Sequence, residues 1–95
     1  MSERLNGGPF TLAPGQQIYL EYWWGKYGDD HHLAYAAAHP LDPSGANLVS
    51  FDQRALLGPR ADFQEGDSYT YGVTVRNDRP PNTNPSTFDV YATTP

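Results

Sequence analysis

Apolar side chains fall on every second position in two stretches of the chain. In one, Tyr69, Tyr71, Val73 and Val75 alternate with Ser68, Thr70, Thr74 and Arg76 among the intervening positions. In the other, Ile18, Leu20, Tyr22 and Trp24 alternate with Gln17, Tyr19, Glu21 and Trp23. Successive side chains of a strand point to opposite faces, so a period of two predicts half-buried β-strands. The pattern points to an all-β fold.

Weaker signals extend the pattern to about seven short strands, spaced as in a β-sandwich. A first strand is expected over 9–13, closed by the turn pair Pro14-Gly15. The second covers 16–24, and the glycines and aspartates after it predict a loop. The segment 31–38 is ambiguous. Its alanines favour helix, but loop formers bound it and it is short for a stable helix, so a strand is preferred and a helical turn stays open. A fourth strand is expected over 47–54 and a short edge element over 55–63, where Gly58-Pro59 interrupts Leu56-Leu57. Strands over 68–77 and 87–93 complete the set, with Phe88, Val90 and Ala92 facing inward. With no helix to cross between parallel strands, the pairing should be mostly antiparallel. Residues 1–8 read as a flexible N-terminal segment, and 9–95 as one domain.

Charge narrows the partners. A net charge of −5 with six basic residues, none of them in a run, argues against nucleic acid and against anionic membrane surfaces. The chain has no cysteine, which removes disulfides, thiolate metal sites and thiol nucleophiles together. The N-terminus lacks the apolar core of a secretory signal, and no stretch approaches a membrane span. The compartment stays open between a cell interior, a released particle and a longer exported chain.

Several segments in sequence resemble a known family. Phe10-Thr11-Leu12-Ala13-Pro14-Gly15-Gln16 resembles the strand–turn–strand opening of bacterial immunoglobulin-like modules. Tyr71-Gly72-Val73-Thr74-Val75-Arg76-Asn77, followed after a loop by Thr87-Phe88-Asp89-Val90, looks like their closing hairpin. Tyr22-Trp23-Trp24-Gly25 and Ala36-Ala37-Ala38-His39-Pro40 are similar to the middle of small accessory β-sandwiches on bacterial exported proteins. The resemblance covers about half the chain and implies an immunoglobulin-like antiparallel β-sandwich with a non-catalytic binding or spacing role. It carries over no site residue. The cysteine pair is missing, and the core Trp of antibody domains has no clear counterpart.

Candidate chemistry is sparse. Asp29, Asp30, His31, His32 and His39 are the residues with metal-ligand character, but on a strand each face would offer a single Asp–His pair, below the three or four ligands zinc requires. Asp62, Glu65 and Asp67 bracket a turn, where aspartate is favoured on backbone grounds alone. Ser50 and Asp52 lack a nearby histidine, and Gly7-Gly8 runs into Pro9, which has no amide to offer a phosphate. The expectation is therefore no enzyme, no metal and no cofactor.

Aromatic placement carries more. Tyr19 and Trp23 lie on the parity opposite to Ile18, Leu20, Tyr22 and Trp24, so both faces of that strand are apolar. Loops of the same chain, a sugar, or another protein could cover the second face, and tyrosine and tryptophan are enriched as interface anchors. Prolines 9, 59, 80, 81 and 85 fall at strand ends, where they oppose edge-to-edge pairing and leave face-to-face contact possible. The sequence thus predicts an interaction or structural module that binds a protein partner or itself through Tyr19, Trp23 and Tyr27. It could sit on a particle or within an exported protein. The alternatives are a carbohydrate-binding module using the same three residues and, less favoured, a metal-dependent enzyme.

Overall fold

The computed structural model describes residues 2–24, 30–42, 46–58 and 68–94. They form seven strands and no helix: β1 Ser2–Arg4, β2 Phe10–Leu12, β3 Gln17–Tyr22, β4 Tyr35–Pro40, β5 Leu48–Gly58, β6 Ser68–Asn77 and β7 Ser86–Thr93. Every pairing is antiparallel, and the strands make two sheets. In one, β7 is central, with β1 and β2 along one edge and β4 along the other. In the second, β6 is central between β3 and β5.

The period-two pattern explains the core. Registers Ile18↔Val75, Leu20↔Val73 and Tyr22↔Tyr71 bring the apolar parity of β3 and β6 to one face. Phe88, Val90 and Ala92 of β7 meet that face, and Leu5 and Leu12 join them. Val73, Val75, Phe88 and Val90 have no solvent exposure. Asn77, also fully buried, ties the sheets: its Nδ2 donates to the Leu12 carbonyl at 2.9 Å and its Oδ1 accepts the Arg79 amide at 3.0 Å.

Three local expectations change. Within residues 1–8, expected to be a flexible lead-in, Ser2–Arg4 form a strand along β7, and next to it the Leu5 amide donates to the Val90 carbonyl at 2.7 Å and the Leu5 side chain is 1% exposed. The alanine-rich segment is strand, as preferred, but it starts at Tyr35 rather than 31. His31 and His32 are loop because both amides donate to the Tyr71 hydroxyl, at 3.0 and 3.1 Å, instead of to a ladder. The two elements expected over 47–54 and 55–63 are, through Gly58, one strand with a bulge between Phe51 and Arg54, where Asp52 has φ +53°. Residues 59–63 lie outside the described residues.

β4 also reaches toward the other sheet. The Ala36 and Ala38 amides, turned away from β7, donate to Gln53 Oε1 at 2.9 Å and Ser50 Oγ at 2.8 Å of β5. Side chains therefore close this side of the two-sheet assembly where a ladder is missing.

Candidate functional site

The outer face of the β3–β6–β5 sheet is built from the parity that the core does not use. Register sets Tyr19 beside Thr74, Glu21 beside Gly72, Phe51 beside Thr74 and Arg54 beside Gly72. Tyr19 leans across β6: a β-carbon at Gly72 would lie 2.6 Å from Tyr19 Cζ, so glycine leaves room for the ring. The Arg54 guanidinium then stands 5.6 Å from the Tyr19 ring centre, held by Asp52 at 2.9 and 3.3 Å. A parallel unit repeats along the sheet, with Arg76 5.1 Å from the Phe51 ring and gripped by Asp78. Arg76 holds the Asp78 carboxyl below its ordinary range. Burial, then the Glu21 charge, raises the Tyr19 hydroxyl above its usual value.

Part of the expected cover for Tyr19 is therefore internal. The ring remains 39% exposed, while Thr70 and Thr74 on the same face are buried.

Trp23, 38% exposed, follows the end of β3 and faces different surroundings. With Asn6, Phe10, Leu20, Glu21 and Trp24 it lines a groove of about 330 Å³ between β3 and the β1–β2 edge. Tyr19 and Trp23 thus stand in different surroundings, Tyr19 over Gly72 of β6 and Trp23 at the groove. Tyr27, expected beside them, lies outside the described residues.

The residues with metal-ligand character are dispersed. Asp29 lies outside the described residues, as do Asp62, Glu65 and Asp67. Asp30 accepts from the Tyr71 hydroxyl and from the His32 amide at 2.8 Å, and its other oxygen lies 3.3 Å from His32 Nδ1. The Tyr71 hydroxyl, followed by that amide, holds the Asp30 carboxyl below its ordinary range. His31 stacks on Trp24 with ring centres 4.2 Å apart, and His39 sits on β4 against Tyr91 at 5.6 Å. Among the described residues, no group of three or more His, Asp or Glu side chains converges on one point.

Sequence reasoning placed Tyr22 and Tyr71 in the core, as they are, but missed what their hydroxyls meet. Among the described residues the buried Tyr22 hydroxyl has no hydrogen-bond partner, and burial pushes its pKa up to about 12. A second cavity of about 200 Å³ is lined by Leu5, Tyr22, Leu33, Tyr35, Gln53 and Tyr71, among others. Alternation marked Tyr22 and Tyr71 as core, but nothing local shows that one hydroxyl meets a loop and the other meets no partner among the described residues.

Comparison of the chain with family models, with curated proteins and with solved structures gives no match.

Proposed function

We propose that the chain is an immunoglobulin-like β-sandwich module that binds a protein partner or a copy of itself and catalyses no reaction. Strand order supports the fold assignment. In constant-type immunoglobulin domains one sheet runs A-B-E-D and the other C-F-G. Setting β3, β6 and β5 on B, E and D, and β4 and β7 on C and F, reproduces the observed neighbours. The place of G, beside β7, is then taken by β1 and β2 from the other end of the chain, and among the described residues no strand takes the place of A, beside β3.

The observation that carries the functional reading is Trp23, partly exposed at an apolar groove along β3. Binding sites favour aromatic anchors in concave apolar surroundings. Asp30, Asp52, Asp78 and Asp89 are each engaged in a contact within the fold, which supports a structural role for them.

Trp23→Ala tests the proposal. It should weaken association by on the order of 2 kcal/mol while the melting temperature stays near that of the parent. If the substitution instead lowers the melting temperature of a proven monomer and changes no association, Trp23 belongs to the fold alone. Binding of the parent to a glycan array, lost in Trp23→Ala, would favour a carbohydrate ligand in the groove.

A further inference from the structure

The two sheets have four edges, and three are guarded. On β4 the amides facing away from β7 are those of Ala36 and Ala38, which Gln53 and Ser50 already accept, and Pro40, next in that series, has none. β5 is broken by its bulge, with Asp52 in the left-handed region and ion-paired to Arg54. β1 and β2 are three residues each, separated by a turn containing Gly7, Gly8 and Pro9. Short strands, bulges, proline and charge are the ordinary ways of keeping an edge from pairing.

β3 carries only one of them, the single charge of Glu21. It runs for six residues in unbroken register with β6 and contains no proline, lysine or arginine. The Asn77 amide donates to the Gln16 carbonyl, so the backbone groups of residue 16 face β6. Strand backbone groups alternate, hence those of Gln17 and Tyr19 face away from the sheet. Neither has another partner strand among the described residues.

We infer that β3 is a dimerisation edge: two copies of this chain pair antiparallel along β3 about a two-fold axis at Tyr19, joining two three-stranded sheets into one of six strands. The inference rests on the interaction reading above and gives it a partner and a register. The occupant follows from complementarity. A match of faces requires odd residues opposite odd, and centring on Tyr19 sets Ile18 against Leu20 of the second copy on the core side. On the outer side Gln17 meets Glu21 of the second copy, an amide donor against a carboxylate, and no carboxylate meets its like. The register also carries Trp23 of each copy toward the Pro14-Gly15 turn of the other, where the space beside Gly15 is open.

Sedimentation from micromolar to millimolar concentration tests this, together with single-cysteine cross-linking in a chain that has no cysteine of its own. Gln17→Glu should weaken the dimer by about tenfold and Gln17→Lys tighten it by a similar factor, since each change enters twice across the axis. Gln17→Glu combined with Glu21→Lys should restore the parent affinity. Under mild oxidation Tyr19→Cys should form a disulfide dimer, because directly opposed residues have Cα atoms about 5.5 Å apart. Gln17→Cys should not, its two copies being offset by about 13 Å of strand. A parent that stays monomeric at millimolar concentration overturns the inference and leaves binding to another protein to be judged separately with Trp23→Ala. A dimer that Trp23→Ala dissolves but that ignores every change at position 17 also overturns it, and keeps the interaction reading.

Discussion

One hydroxyl organises the loop before β4. Tyr71 is 6% exposed, donates to Asp30 and accepts the amides of His31 and His32. Tyr71→Phe should cost on the order of 1 kcal/mol, as the loss of a net hydrogen bond does. The pH dependence identifies the partner. A carboxyl whose pKa is depressed in the folded state contributes stability above its unfolded value and gives it up as pH falls through the folded one. The gap in melting temperature between parent and Tyr71→Phe should therefore be widest near neutrality and shrink below about pH 4. A gap constant from pH 7 to pH 3 would exclude Asp30 as the group responsible. Tyr22 is the opposite case, since its hydroxyl is buried and, among the described residues, has no partner to lose. Tyr22→Phe should match or exceed the parent's melting temperature at pH 7. A raised tyrosine pKa gives stability that is complete below pH 10 and lost toward pH 12, so the variant should also lose less on alkaline titration.

At the scale of elements, alternation was enough for β3, β6 and β7, because both faces of those strands are specified by side chains that the sequence spells out. It was not enough for β5. Leu56-Leu57 followed by Gly58-Pro59 looks like an interruption, yet the strand continues to Gly58 because a bulge at Asp52 and Gln53 resets its register. A bulge is a property of the pair of strands, and only the β6 partner reveals it. The same holds for Tyr19, whose exposure was legible while its resting place was not. It lies over Gly72 of the neighbouring strand, and β-carbon space is the deciding quantity. Gly72→Ala should push the ring off the sheet, raise Tyr19 exposure in its fluorescence, and destabilise the protein. In a Tyr19→Ala background the same substitution should be nearly harmless, a coupling of about 1 kcal/mol in a double-mutant cycle. Independent, additive effects would show that the ring does not occupy that space.

The molecule as a whole is held by contacts distant in sequence, and this is where single-chain patterning runs out. Asn77 clamps Leu12, while Ser50 and Gln53 of one sheet satisfy Ala38 and Ala36 of the other. None of these pairs is suggested by spacing. β1 is the sharpest instance. Ser-Glu-Arg has no apolar alternation and lies in a polar stretch with glycines, so local rules read it as a loose end. Its strand character comes from β7, which offers a ladder from Tyr91 to Thr93, and from Leu5, which enters the core beside Val90 and Ala92. A leucine 1% exposed in a core this small matters to the whole fold rather than to the terminus. Leu5→Ala should therefore lower the unfolding free energy by about 2–5 kcal/mol, the range for emptying a buried leucine site. Denaturant unfolding measures it, and the transition should stay cooperative with an unchanged slope while its midpoint falls. A midpoint within about 0.5 kcal/mol of the parent would match an ordinary surface substitution. It would show that residues 2–5 do not form part of the core in solution.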